Sequence, residues 1–281
     1  MRSPLTRRRL LAFALGAALP SGGCLGSSGD GATTEATADA TAGSPTTGDG
    51  PVRRAPGDRH VTEEGWSLTV AAVGVRHGVV QFGTVHPDPL WRDGAQFVVA
   101  DAVVAGDGAP DPADLRLFVR TDTLDRSDRY YVHAATDADD RRQRFGFPVP
   151  TDPAPARAGV VWAPAEGPTV RWALPDGLVR DLGVAPAFAV ESFDVPETAA
   201  PDDEFEAAVT VRNDGDRDGR FLAEVGNGLV SDQPETTLDV PAGGTATARP
   251  TVDARFGDRD ELPVVLRWEG GTERRTVRRA G

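Results

Sequence analysis

Apolar and polar residues alternate along most of the chain after residue 59, which is the pattern of half-buried β-strands. Residues 95–105, AQFVVADAVVA, are long and apolar enough for a central strand. Clusters of Pro and Gly separate the apolar segments, which is typical of a β-sandwich. Further strands are predicted near 66–70, 115–120, 129–133, 144–149, 159–162 and 169–174. One short helix is predicted over 176–182, ended by Gly183.

The strand pattern restarts after Pro186. The predicted strands there are 188–195, 204–212, 220–225, 236–240, 245–253, 262–268 and 272–278. Such a number of strands in a segment of this length fits an immunoglobulin-like sandwich without a disulfide. The sequence therefore predicts an all-β fold of two tandem β-sandwiches, residues 59–185 and residues 186–281.

The N-terminus has the pattern of an export signal. Arg7 and Arg8 precede an apolar run over 10–19, and Cys24, the only cysteine, follows a Pro-Ser-Gly-Gly break. A membrane-spanning helix needs about 20 apolar residues, so this run is too short to span and is read as the core of a signal peptide, residues 1–23.

The motif around Arg7 and Arg8 resembles the twin-arginine export signature, and the segment ending at Cys24 resembles a lipobox. The resemblance implies that Cys24 carries a lipid and becomes the mature N-terminus. A lone cysteine in an exported chain forms no internal disulfide, which agrees with that role. Ser21 stands where a lipobox usually has a large apolar residue, so ordinary cleavage, or an uncleaved signal that acts as the anchor, remains the alternative.

Residues 24–58 consist largely of Gly, Ser, Thr, Ala, Asp and Pro and contain no aromatic residue. Such a segment buries too little apolar surface to offset the entropy cost of ordering it. We therefore expect a disordered tether between Cys24 and the first sandwich.

The chain is acidic and contains no lysine. Its net charge is −13, and all 30 basic residues are arginine. This acidic excess argues against a nucleic-acid partner, which requires basic surfaces. In composition the chain resembles exported lipoproteins of extremely halophilic archaea. A codon bias that favours arginine over lysine is the alternative.

Two resemblances concern the sandwiches. The stretches 188–196 and 203–221 are similar to the cell-adhesion-related (CARDB-like) immunoglobulin-type domains of prokaryotic surface proteins, which implies a spacer or binding module. Residues 94–104 resemble a β-sandwich domain of unknown function from prokaryotic lipoproteins.

One motif suggests a metal site. Asp214, Asp216 and Asp218 have the spacing of the opening of a calcium loop, but Val225 stands where such a loop ends in Glu. We therefore prefer a turn between strands, with calcium as the minor alternative. The four histidines show no metal-ligand spacing and are expected at surface or turn positions; they are His60, His77, His86 and His133.

No catalytic motif is present in the sequence. The lack of lysine excludes Schiff-base chemistry and a P-loop lysine. The Arg-rich end, 272–279, is predicted to be an edge strand whose charges discourage pairing.

We therefore expect a protein without enzymatic activity or cofactor. It is predicted to lie on the outer face of the cytoplasmic membrane, held by lipid on Cys24, and to act as a binding or structural module of the cell envelope with a protein or glycan partner. A hydrolase of envelope glycan or peptide, using an unrecognised carboxylate pair in residues 59–185, is the alternative.

Overall fold

The computed structural model describes residues 50–82, 87–124, 130–131, 141–228 and 235–281. Chain contacts divide the protein into Met1–Thr47 and the compact unit Gly48–Gly281, which holds all the described residues. The predicted signal with Arg7 and Arg8, the lipidation site Cys24, and the histidines His86 and His133 lie outside them. The described part of the chain contains no helix with the length and apolar character to cross a membrane.

Eleven strands, one 3₁₀ turn and one helix form the first part of the fold. The strands are β1 Val52–Arg54, β2 Arg59–Val61, β3 Ser67–Arg76, β4 Val79–Phe82, β5 Pro87–Leu90, β6 Ala95–Ala105, β7 Leu117–Thr121, β8 Tyr130–Tyr131, β9 Arg142–Pro150, β10 Ala158–Trp162 and β11 Val170–Ala173. The 3₁₀ turn is Pro112–Asp114 and the helix α1 is Asp176–Leu182.

These strands form two larger sheets, in the orders β2-β3-β6-β9-β8 and β1-β11-β10-β7, and the hairpin β4-β5. Side chains of both larger sheets and of α1 make one hydrophobic core. Its large members with no exposed surface are Leu68, Phe145, Phe147, Trp172 and Leu182. We call it the first core.

Ten further strands follow. They are β12 Phe188–Asp194, β13 Thr198–Ala199, β14 Glu204–Glu206, β15 Ala208–Asn213, β16 Gly219–Asn227, β17 Glu235–Val240, β18 Thr245–Ala248, β19 Thr251–Asp253, β20 Glu261–Trp268 and β21 Gly271–Arg279. The sheets have the orders β13-β21-β20-β16-β17, β12-β15-β18 and β14-β19. Between them lies the second core, which includes Phe193, Phe256, Leu262 and Leu266.

The predicted all-β class is confirmed. The two cores share no residue, yet both belong to the one compact unit, so the division into two separate domains stays a prediction.

The N-terminal boundary of the fold is earlier than predicted. Val52–Arg54 was assigned to the tether, but it pairs in parallel with β11. The carbonyl oxygen of Asp58 also accepts a hydrogen bond from the buried Trp172 Nε1 at 3.0 Å. A strand of three residues shows too little alternation to be recognised in a polar segment.

The helix α1 has the predicted bounds, but Gly183 ends it for a different reason. Its φ is −85°, which is ordinary right-handed backbone. A Cβ at this position would lie 2.7 Å from the Cβ of Ala154. Glycine is therefore required by close packing and not by a left-handed conformation.

Two predicted strands of the second part are divided in the structure. The segment 204–212 is split into β14 and β15 around the buried Ala207, and 245–253 is split into β18 and β19 around Pro250. Proline has no N–H for a sheet hydrogen bond, which explains the second break. The Arg-rich end forms β21, which pairs along its length with β20 and at two residues with β13.

Candidate functional site

A β-bulge turns one basic side chain of β3 away from the first core. Val70 points into that core early in the strand, and Val75 does so near its end. The change from even to odd positions occurs where the pairing with β6 shifts, around Ala72, whose φ is 47°. One extra residue in a strand reverses the alternation that follows. Gly74 and Arg76 therefore lie on the outer face of the sheet.

This outer face carries a small apolar cluster of its own. Arg76 lies opposite Phe97 on β6, and Gly74 lies opposite Val99. Phe97 and Val99 are separate from the first core and cluster with Val79 of the β4-β5 hairpin. The strand β6 is thus buried on both sides, in agreement with the prediction of a central strand for 95–105.

The strand β16 presents its own outer face toward this cluster. Phe221 and alternate residues point into the second core, which leaves Arg220 and Leu222 on the other side. The residues opposite them on β17 are Asp239 and Thr237. Leu222 is nevertheless only 5% exposed, and Gly78, just after β3, lies close to its side chain.

We call the region where the first part of the fold, β1–β11 and α1, meets the second part, β12–β21, the junction. Gly78 shows how closely the two parts approach there. A Cβ at Gly78 would lie 3.3 Å from Leu222 Cδ2 and 2.7 Å from Trp91 Cδ1. A larger residue at this position would displace the Trp91 side chain and press against Leu222. Trp91 is packed at this junction.

Gln96 and Arg217 form a polar link across the junction. Gln96 is fully buried, and its Nε2 donates to the carbonyl oxygens of Asp181 and Leu182 at 2.6 and 3.1 Å. Arg217 Nη2 donates to Gln96 Oε1 at 2.5 Å, and Arg217 Nη1 lies 3.5 Å from Asp181 Oδ2. The link therefore satisfies carbonyl groups at the end of α1.

His77 makes a second link. Its Nε2 is paired with the carboxylate of Glu269, and its ring lies edge-on to Phe188, with the ring centres 5.6 Å apart. His77 was expected at a surface or turn position, and it lies in the bend between β3 and β4. Its side chain is nevertheless only 13% exposed. It is a contact between the two parts of the fold.

Two connected clefts open along this junction. The wider cleft has a volume of about 630 Å³, and the narrower one has about 290 Å³. Both are lined by Gly74, Arg76 and Arg220. The wider cleft is also lined by three carboxylates, Asp181, Asp218 and Asp239.

The arginines of the clefts differ in their partners. Arg220 binds Asp239 through Nε and Nη2 at 2.7 and 2.9 Å, and this hydrogen-bonded pair raises the pKa of Arg220 and lowers the pKa of Asp239. Arg144 binds the buried Asp101 in the same way, at 2.6 and 3.0 Å. In the part of the chain that the structure describes, Arg76 forms no ion pair and donates only to the carbonyl of Val75, at 3.1 Å.

The electrostatic environment of Arg76 is positive. Burial in the cleft lowers its pKa first, and the charges of Arg220, Arg144 and Arg217 lower it further, while Asp239 alone acts in the opposite direction. Arg76 remains a cation because an arginine pKa starts far above neutral pH. An anion would stabilise this group.

The predicted calcium loop has other partners in the structure. Asp214 pairs with Arg212 at 3.0 Å, and Asp218 accepts from the backbone N–H of Ala242 at 2.9 Å. The buried Asn213 holds the turn, since its Oδ1 accepts from Gly215 N at 3.0 Å. No group of three His, Cys, Asp or Glu side chains within the described ranges has a geometry that fits a metal ion.

The prediction for His60 is wrong. It was expected at the surface near the tether, but it is 7% exposed, with its ring centre 5.8 Å from that of Trp162. Burial, followed by the charge of Arg54, lowers its pKa. Pairing of β2 with β3 places His60 directly opposite Leu68 and so carries it into the interior.

Sequence reasoning did not find Gln96, Arg76 or Arg220. Gln96 and Arg220 were read only as parts of strands, and Arg76 lay outside the predicted strands. The three residues are also far apart in the chain. The sequence did contain one signal. Alternation from Leu68 and Val70 predicts an inward side chain at position 76, where an arginine stands.

No protein-family model matches the chain, and no curated protein matches it. Among solved structures, the chain is similar to the β-glucosidase from Listeria innocua. The match to its complex with isofagomine has 13% identity and a TM-score of 0.29, and covers 34% of this chain and 16% of that chain. For the complex with glucose the values are 13%, 0.27, 35% and 16%.

Proposed function

We propose that the protein is a membrane-anchored, extracytoplasmic lipoprotein that acts as a binding or structural module of the cell envelope. Arg7, Arg8 and Cys24 are the basis for export and anchoring. The observation that supports a binding role is the open cleft between the two parts of the fold, with a volume of about 630 Å³. This volume lies within the range of sites that bind small molecules.

The charges of the cleft favour binding over hydrolysis. A glycosidase needs one carboxylic acid whose pKa is raised, so that it can donate a proton. The Arg220 guanidinium instead lowers the pKa of Asp239, which therefore stays ionised. Asp181 faces Arg217.

To test the anchor, Cys24→Ser is expressed in the organism that naturally makes the protein, and the membranes are separated from the soluble fraction. We expect the variant in the soluble fraction and the unaltered protein in the membrane, because acyl chains provide the membrane affinity. Ser28→Ala is the matched control and should stay membrane-bound. A Cys24→Ser protein that remains in the membrane would contradict lipid anchoring.

The export route is tested with Arg7→Lys combined with Arg8→Lys. These substitutions keep both positive charges but remove the twin arginine, so precursor should accumulate in the cytoplasm. Arg2→Lys, outside the motif, is the control. Normal export of the double variant would contradict this route.

The envelope partner is tested by crosslinking in intact cells at high salt, followed by purification of the lipoprotein. We expect a protein or glycan crosslinked to residues that line the cleft. Crosslinks confined to the opposite surface would contradict a binding role for the cleft.

A further inference from the structure

We propose that the narrower cleft binds a small organic anion, with the acidic head group between Arg76, Arg144 and Arg220. This inference rests on the proposal that the junction is a binding surface, and it names the class of ligand.

Arg76 is the residue that carries the proposal. A guanidinium has five N–H donors in a planar fork that suits carboxylate, sulfate and phosphate groups. Among the residues that the structure describes, one hydrogen bond uses these donors, from Nη1 to the Val75 carbonyl. A Cβ added at Gly74 would be 3.7 Å from Nη1, so the missing side chain keeps open a space beside the guanidinium.

Arg144 and Arg220 flank this space, and both are held in fixed orientations. Bidentate hydrogen bonds fix the guanidinium plane of Arg144 against Asp101 and that of Arg220 against Asp239. Each guanidinium keeps donors that these bonds do not use. A head group placed among the three arginines therefore meets donors that are already oriented, which reduces the entropy cost of binding.

The narrower cleft has no acidic lining. It is lined by Ala72, Gly74, Arg76, Gly78, Val79, Val80, Val99, Arg144, Arg220, Leu222 and Thr237. The wider cleft, by contrast, has three carboxylates that would repel an anion. Two of the three arginines are paired with a carboxylate, Arg144 with Asp101 and Arg220 with Asp239, so the positive charge of Arg76 is left in excess. In a chain with a net charge of −13, this excess favours an anionic ligand over a cationic one.

The remaining lining residues indicate an apolar body. Val79, Val99 and Leu222 are buried aliphatic residues, and they line this cleft. A volume of about 290 Å³ is at the lower end for small-molecule sites. The ligand class is therefore a short organic acid, whose head group is a carboxylate, a sulfate or a phosphate.

The test is isothermal titration calorimetry of the full chain at constant KCl with hexanoate, hexyl sulfate and 1-hexanol. We expect at least one of the two anions to bind and the neutral alcohol to bind at least tenfold more weakly. The stronger of the two anions shows whether the site prefers a planar carboxylate or a tetrahedral head group such as sulfate or phosphate. Equal binding of the alcohol, or no binding of either anion, would overturn the proposal.

Three variants locate the site. Arg76→Gln should weaken anion binding by roughly tenfold to a hundredfold, the range for one hydrogen bond to a charged group. Gly74→Val keeps every charge but fills the space beside Arg76, so it should also weaken binding. Asp239→Asn removes a negative charge beside the site, while its side-chain oxygen can still accept a hydrogen bond from Arg220, so it should strengthen anion binding several-fold. A variant that had merely lost its fold would not bind more tightly.

Arg212→Gln is the matched control, since Arg212 pairs with Glu191 and Asp214 and does not line either cleft. Unchanged affinity in Arg76→Gln, with circular dichroism identical to that of the unaltered protein, would overturn the assignment. These titrations need no membrane, so loss of anion binding is distinguishable from failure of the lipid anchor.

Discussion

The two hydrophobic cores and the junction between them are built from opposite faces of the same strands. On β16, Phe221 points into the second core while Leu222 points into the junction. The inner faces are filled with aliphatic and aromatic side chains, whereas the outer faces carry arginines beside a small apolar cluster. The cores therefore account for stability, and the junction is where recognition by charge is available.

The cores and the junction also differ in the interaction that dominates each, apolar burial in the cores and ion pairing in the junction. The free energy gained by burying apolar surface is non-directional, so it does not depend on the exact partner. Ion pairs such as Arg220 with Asp239 are exposed, so they contribute little to stability and are screened by salt. We expect substitutions in the cores to change folding, and substitutions in the clefts to change ligand affinity.

The largest expected effect is on the cores. Phe147→Ala and Phe193→Ala each remove a fully buried ring and should each lower the free energy of unfolding by about 3–5 kcal/mol. Urea unfolding at constant high salt measures this. A loss below about 1 kcal/mol in either variant would contradict the burial of that ring.

A smaller effect is expected at the junction. Gln96→Ala leaves the carbonyl groups of Asp181 and Leu182 without this donor and removes the acceptor of Arg217. The cost of such unsatisfied groups is about 1–3 kcal/mol. Urea unfolding again provides the value, with the half-buried Gln143 replaced by Ala in a control variant whose stability should change less.

Within the first core, His60 should make stability depend on pH. Its pKa is lowered in the folded state, so the unfolded chain takes up a proton more readily. Stability should be constant above the unfolded value near 6.5 and fall as the pH drops below it toward the folded pKa. The difference in unfolding free energy between the unaltered protein and His60→Phe should therefore shrink in acid. A difference that is flat from pH 7.5 to 5 would contradict a buried neutral imidazole.

The smallest effect is expected for the exposed ion pair of the cleft. Asp239→Asn breaks the pair with Arg220, and the Asp239 side chain is 74% exposed. Its loss should change the unfolding free energy by less than about 1 kcal/mol while it raises anion affinity. Because the pKa of Asp239 is lowered in the folded state, the small stabilisation is present above the unfolded pKa and is lost as the pH falls through the folded pKa. A loss of several kcal/mol would show that the pair is structural.

Local patterns were sufficient for much of the fold. The alternation in 204–212 and the apolar run in 95–105 are properties of neighbouring residues, and they predicted strands because a strand repeats every two residues. The helix α1 was likewise predicted from neighbouring residues, with the bounds that the structure shows.

The junction depends on features that neighbouring residues do not encode. The bulge at Ala72 reverses the face of Arg76, and without it the alternation from Leu68 would place that arginine in the core. The approach of Arg220 to Arg76 depends on how two strands separated by more than 140 residues pack together. Neither property is visible in the spacing of residues along the chain.

The most direct test of the arginine-lined junction is anomalous X-ray diffraction from crystals of the protein soaked in selenate. We expect a selenium peak within hydrogen-bond distance of the guanidinium groups of Arg76 and Arg220. This peak should disappear in crystals of Arg76→Gln. Selenate bound elsewhere on the protein, with no peak between these two arginines, would contradict the account.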